Sequence, residues 1–217
     1  MSRPGPTDAA AGRAPRALGA KGEATRQRLL AAAEEIFSVR GYHTASISDI
    51  TREAGVAQGT FYLYFDSKLA VFQAVVRGIS HQLRRATTEA IQAVSDRREA
   101  ERRGIEAFFQ FLQERPNIYR VLREAEFVDP ELFQWYYSHM AEGYQRRLAE
   151  AQALGQVRQA DPEVLAWCLM GISHMLGLRY VVWDGGGADL AHVMQTAMDF
   201  LNAGINPEPG RGGDPTR

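Results

Sequence analysis

Between residues 21 and 205 no stretch alternates apolar and polar side chains for long enough to pair as a strand. Apolar residues recur instead at three- and four-residue steps almost throughout. That period lines them up on one face of a helix, so the chain is expected to be all-α, with about nine helices. Glycine, proline and acidic breakers divide the pattern, and helices are predicted near 22–39, 47–54, from 59, 68–95, 99–115, 117–127, 130–153, 161–183 and 187–203. Residues 1–20 and 206–217 are rich in Pro and Gly and show no apolar period, so they are expected to be a disordered arm and tail. No repeat recurs at a fixed period.

The region before residue 68 carries the most specific signal. Leu29, Leu30, Ala33, Ile36 and Phe37 form an amphipathic face that Gly41 ends, where a C-terminal cap prefers glycine. Ser46 followed three residues later by Asp49 reads as a capping box opening the next helix. Gly55 ends that helix, and Gly59 to Phe65 starts another almost at once, with Phe61 and Phe65 inward. Two short helices joined by a glycine turn on a preceding amphipathic helix form a helix-turn-helix. Such a unit lays its second short helix in the major groove of DNA. Gln58, Thr60, Tyr62, Leu63 and Tyr64 are expected to face outward. The Gln58 amide suits a base edge, the tyrosine hydroxyls suit phosphates, Lys68 adds a charge, and Gly59 allows close approach.

These residues resemble the DNA-binding domain of TetR/AcrR-type repressors. The resemblance spans 22–70, about a quarter of the chain: Thr25-Arg26 and Ala31 to Phe37, Gly41-Tyr42, Ser46 to Ile50, Ala54-Gly55-Val56, and Gly59 to Phe65 followed by Ser67-Lys68. It implies DNA contacts at Thr44, Ser46, Gln58, Gly59, Thr60, Tyr62, Tyr64 and Lys68. It also implies a helical C-terminal domain for ligand binding and dimerisation. The expected organisation is a three-helix DNA-binding domain at 21–67 and the second domain at 68–205.

A helix-turn-helix dimer must hold its reading helices about 34–36 Å apart. The strongly apolar segments 161–183 and 187–203 are the candidates for pairing two copies, with Trp167, Met175, Leu178, Val193, Met194, Ala197 and Phe200 as interface residues. In the family two such helices from each subunit make a four-helix bundle; the alternative is that they are ordinary core. The middle helices concentrate aromatic residues and are expected to enclose an apolar pocket. Its expected lining is Phe108, Phe111, Leu112, Tyr119, Arg123, Phe127, Trp135, Tyr136, Trp167 and Met170. Arg120, Arg123, Glu124, Glu126 and Arg179 are candidate polar anchors. A fatty acyl thioester or long-chain acid is the first expectation for the ligand, and a lipophilic cation held by Glu124 or Glu126 the second.

Composition narrows the other classes. The net charge of −1 argues against a protein that coats DNA non-specifically, and residues 1–68 hold nine basic against seven acidic side chains. No uninterrupted apolar run of about 18 residues and no signal-peptide h-region is present, so no membrane partner is expected. A single cysteine, Cys168, precludes an intramolecular disulfide, fits a reducing cytoplasm, and is expected to be a buried small hydrophobe. For an enzyme, Gly171-Ile172-Ser173-His174-Met175 lacks the closing glycine of a nucleophile elbow, and no phosphate-binding loop is found. The five histidines show no metal-ligand spacing, so no metal or cofactor is expected. A helical protein-interaction module would leave Gln58 to Lys68 without a purpose. Arg13, Arg16 and Lys21 could enter a minor groove beside the main site, although a solubilising tail is the simpler expectation for residues 1–20.

Overall fold

The computed structural model describes residues 19–185 and 187–205; residues 1–18 of the expected arm, with Arg13 and Arg16, and the expected tail lie outside them, while Gly19 and Ala20, expected in the arm, open the first helix. The described residues form nine α-helices and no strand: α1 Ala20–Arg40, α2 Ile47–Glu53, α3 Gln58–Phe61, α4 Lys68–Ile91, α5 Arg97–Glu114, α6 Ile118–Val128, α7 Pro130–Ala153, α8 Pro162–Leu176 and α9 Leu190–Ile205. After α8 the chain winds on as a π-helix over Gly177–Trp183.

Helix starts follow the acidic and hydroxyl side chains that accept orphan N–H groups. Ser67 accepts from Ala70 N at 3.0 Å, Asp96 from Glu99 N at 2.8 Å, Asp129 from Leu132 N at 3.0 Å and Asp161 from Glu163 N at 2.8 Å. Pro130 and Pro162 occupy the first turn, where a missing N–H costs nothing. The Asp96 cap starts α5 two residues earlier than the periodicity suggests, and α4 ends at Ile91 rather than near 95.

Helices α1 to α3 close around Leu29, Ala33, Phe37, Ile50, Phe61 and Phe65. This core is continuous with α4 through Phe72, whose ring meets Phe37 edge-on at 5.2 Å. In the second domain α4 packs on α5 and α7 on α8, with α6 against both α1 and α7. The segment predicted as one helix over 161–183 changes pitch at Gly177. A Cβ there would stand 2.8 Å from Leu112 Cδ1 and 2.9 Å from Phe108 Cε1, so only glycine permits this approach to α5. By length and composition Pro162–Trp183 could also cross a membrane, a feature that counting uninterrupted apolar runs misses.

Candidate nucleic-acid interface and effector cavity

The turn between α2 and α3 is a Schellman closure. Gly55, at φ +64°, donates to Arg52 O at 3.2 Å, and Val56 donates to Thr51 O at 3.0 Å. It delivers the chain directly into α3, which is one turn long and continues through Phe65 as tight turns. Phe61 is fully buried and its ring lies 5.7 Å from that of Phe65, so the pair anchors the segment from below. Gln58, Gly59, Tyr62 and Leu63 stand on the outer side, Tyr62 at 52% and Leu63 at 77% exposure. Thr44 is exposed in the turn between α1 and α2.

Three expected DNA contacts sit differently. Lys68 Nζ donates to Tyr42 O at 2.8 Å and Ala45 O at 2.9 Å and lies 4.5 Å from the Tyr42 ring centroid. Its ammonium therefore ties down the α1–α2 loop instead of projecting to a phosphate. Tyr64 is half-buried against the core, because the turn after Phe61 rotates it inward relative to Tyr62. Ser46 is exposed, yet its hydroxyl donates to Asp49 Oδ2 at 2.6 Å while accepting from Asp49 N at 3.1 Å. The Asp49 carboxyl is held below the ordinary carboxylate range, chiefly by the Ser46 hydroxyl bond and then by Ser46 N–H, Arg40 and Arg52. Thr60 is half-buried.

The reading head is fastened to the second domain through α6. Glu124 Oε2 accepts from Tyr42 N at 2.6 Å, and Arg120 Nη1 donates to Val39 O at 2.8 Å. Both residues, candidate ligand anchors by sequence, serve instead as a clamp on the end of α1. Arg115 Nη1 reaches Glu34 at 3.4 Å, adding a link from α5 to α1.

Helices α4, α5, α7 and α8 surround a cavity of about 410 Å³. Of the expected lining, Phe108, Tyr136, Trp167 and Met170 reach it. Phe111 and Leu112 are buried on another side of α5, and Tyr119 is not part of the lining, with its hydroxyl 2.8 Å from His174 Nδ1. Arg123 and Phe127 point to solvent, Phe127 at 80% exposure. Trp135 stacks on His139 at 5.0 Å under the Arg77 guanidinium. Glu126 is exposed, and Arg179 pairs with Asp184 at 2.7 Å. For Tyr119, Arg123, Glu126 and Phe127 the cause is shared: they stand on α6, and the cavity is lined by α4, α5, α7 and α8.

The polar part of the lining was not anticipated. Arg97 and Glu101 form a buried pair at 2.5 Å, and the Tyr144 hydroxyl donates to Glu101 Oε1 at 3.1 Å. Burial raises the Tyr144 phenol well above its usual value. Arg84, Thr87, Thr88, Arg146 and Arg147 complete this end. A signal was present: Arg97, Glu101, Ile105 and Phe108 fall on one stripe of α5, and charges within an apolar stripe mark a polar interior. His174 lines the other part, and burial lowers its pKa.

The apolar α8–α9 surface is unevenly covered. Val164, Trp167, Met175, Trp183 and Phe200 remain exposed, at 42–69%, while Leu178 and Val193 are half-buried. Met194 and Ala197, expected at an interface, are buried within the protomer, because they sit on the side of α9 that faces the core. Cys168 is exposed, not buried, since it shares the outward side of α8 with Val164 and Trp167.

Comparison with known proteins agrees with this architecture. The family described as "Bacterial regulatory proteins, tetR family" matches residues 29–75. An uncharacterized HTH-type transcriptional regulator of Bacillus subtilis, YdgC, is 31% identical over 193 residues, covering 87% of this chain and 96% of its own. The HTH-type transcriptional activator FasR of Mycolicibacterium smegmatis is 36% identical over 103 residues, 48% of this chain and 47% of that one. Among solved structures, the FadR regulator of Bacillus subtilis in complex with stearoyl-CoA superposes with a TM-score of 0.68 at 24% identity, covering 83% of this chain and 99% of that one. With a glycine-closed helix-turn-helix set on a helical second domain, and a relative matched over nearly its whole length, the chain belongs to the tetR family of helix-turn-helix transcriptional regulators.

Proposed function

We propose that this chain is a ligand-responsive transcriptional repressor of the bacterial cytoplasm, which binds a near-palindromic operator as a homodimer and is released when a small apolar ligand fills the cavity. One observation carries the reading. The single helix α4 holds the α1–α2 loop with Lys68 at its first residue, and it lines the cavity with Leu83, Arg84, Thr87 and Ile91 near its last turns. A tilt of that rigid helix couples the two sites. In this reading residues 21–67 read DNA, and residues 68–205 bind ligand and dimerise. Thr44, Gln58, Gly59, Thr60 and Tyr62 approach the groove, and the exposed side of α8 and α9, with Trp167, Met175 and Phe200, meets its copy about a two-fold axis.

The ligand must favour the DNA-incompetent arrangement by about 1–3 kcal/mol, which loosens operator binding roughly 5- to 150-fold. The stearoyl-CoA bound by a structural neighbour supports a fatty acyl thioester as a candidate, with a lipophilic drug-like molecule as the alternative. The test begins by selecting bound fragments from a genomic DNA pool. Fluorescence anisotropy on the selected site, with sedimentation of the same samples, then follows binding as acyl thioesters are added. A two-fold symmetric site, two subunits per half-site pair and release without dissociation of the dimer support the reading. Undiminished operator binding by a ligand-saturated protein overturns the release mechanism. The partial match to FasR favours an activator as a second reading. A reporter fused to the selected promoter separates the two: deleting the regulator raises expression under repression and lowers it under activation.

A further inference from the structure

The cavity is chemically two-ended, and its polar end carries more positive charge than its own residues neutralise. Four arginines line it, Arg84, Arg97, Arg146 and Arg147, against the single carboxylate of Glu101. Arg97 is 9% exposed and gives one of its Nη groups to Glu101, while its Nε–H is buried without a partner among the described residues. A buried guanidinium N–H left unmade costs more than an ordinary hydrogen bond gains, so such a group marks a missing acceptor. Arg147 is half-buried and has no carboxylate within ion-pair distance among the described residues; its Nη2 donates only to the Thr88 hydroxyl at 3.3 Å. Burial, and then the neighbouring Arg97 charge, pull the Arg147 pKa below its usual value. Two under-compensated cations facing one space favour an anion between them.

The other end is apolar. Phe108, Met140, Trp167, Met170 and Met175 line it. Along α5 the step from Arg97 to Phe108 is eleven residues, so at about 1.5 Å per residue the two ends lie roughly 16 Å apart.

Resting on the ligand-responsive reading above, we propose that the cavity is a site for an anionic amphiphile, with a carboxylate or phosphate head between the Arg97 and Arg147 guanidiniums and an aliphatic tail running toward Trp167 and Met175. The same geometry selects against cationic amphiphiles, because the one acidic group is already engaged by Arg97 and Tyr144. The oxyanion chemistry is common to a free fatty acid and to the phosphates of an acyl thioester of coenzyme A.

Calorimetric titration below micellar concentrations tests this with four probes: tetradecanoate, tetradecanoyl-CoA, tetradecanol and tetradecylamine. Expected is a preference of tenfold or more for an anionic probe over the alcohol, with the amine weakest. The tighter of tetradecanoate and tetradecanoyl-CoA identifies the source of the anion. Arg147→Gln should cut binding of the anionic probes tenfold or more and leave the alcohol within about twofold. Arg97→Gln alone would strand the Glu101 charge, so the paired Arg97→Gln/Glu101→Gln variant keeps the volume and removes both charges; it should behave like Arg147→Gln. Circular dichroism on each variant verifies the fold. Binding of the alcohol as tight as that of both anionic probes, tighter binding of the amine, no binding of any probe, or an anion preference that survives Arg147→Gln overturns the proposal. Operator release measured in the same samples separates the two readings. Release by the alcohol alone removes the anion site and leaves ligand response standing, whereas anion binding without any release keeps the site and removes ligand response.

Discussion

The carboxylate of Glu124 accepts the backbone N–H of Tyr42 at 2.6 Å, joining residues 82 apart in sequence and binding the exit of α1 to α6. Gly41, immediately before Tyr42, holds φ +78°, and a Cβ on it would press on the Glu124 carboxylate and the Arg120 guanidinium. Reading head and ligand domain are thus joined by close backbone approach as well as by α4.

Replacing Gly41 with alanine attacks that junction twice, through left-handed backbone strain and through collision with Glu124. A loss of about 1–3 kcal/mol is expected. Hydrogen exchange should show faster opening at Tyr42 and Val39 while the core of α7 stays protected; uniform protection would contradict the clamp.

Lys68→Met separates a structural lysine from a phosphate contact. Losing its bonds to Tyr42 O and Ala45 O should cost about 1–3 kcal/mol, seen as a lower thermal midpoint. The salt slope of operator binding should stay unchanged. A slope reduced by about one unit would place the ammonium on DNA instead.

Ser46→Ala removes the α2 cap at an expected cost of about 1 kcal/mol, or about 2–4 °C in a chain of this size. Because the Asp49 carboxyl is held below its usual value of 3.8, its contribution is complete above that pH and fades as pH falls further. The difference between wild type and Ser46→Ala in urea midpoints should therefore shrink from pH 7 to pH 3; a constant difference would contradict the capping box as the source.

His174 lies beside Tyr119 and Tyr137, and burial lowers its pKa below 6.5. The unfolded chain takes up the proton first, so this stabilisation is complete above about pH 6.5 and declines as pH falls toward the folded pKa. A His174→Asn variant should lack that component of the stability–pH curve between pH 7 and pH 5. An unaltered curve would show that His174 does not titrate within this window.

Gly177→Ala should overpack the contact of the π-helical turn with Leu112 and Phe108, costing about 1–3 kcal/mol and shifting Phe108 into the cavity. Weaker ligand binding with operator binding retained is the expected pairing. Equal ligand affinity would show that the turn does not shape the pocket.

Much of the fold is written locally. Asp96, Asp129 and Asp161 cap helices whose starts depend on nearby backbone N–H groups alone, and Gly55 closes a turn only a left-handed residue completes easily. Phe61 and Phe65 share an inward side through spacing, which left Gln58 and Tyr62 outside. The destination of each remaining face depends on helices far away in the chain. In α7 the run Phe133, Trp135, Tyr136, Tyr137 spans most of the circumference at about 100° per residue, so periodicity cannot choose the buried ring. Packing against α4, α6 and α8 chose Tyr136 for the core and left Trp135 stacked on His139. Lys68, Arg120 and Glu124 are surface-type side chains whose partners are backbone groups of the α1–α2 junction, and no sequence spacing encodes a contact across tens of residues. Short-range hydrogen-bond chemistry and helical period therefore determined the helices and the reading motif, while long-range packing alone decided where the cavity lies, which charges line it, and which lysine holds a loop.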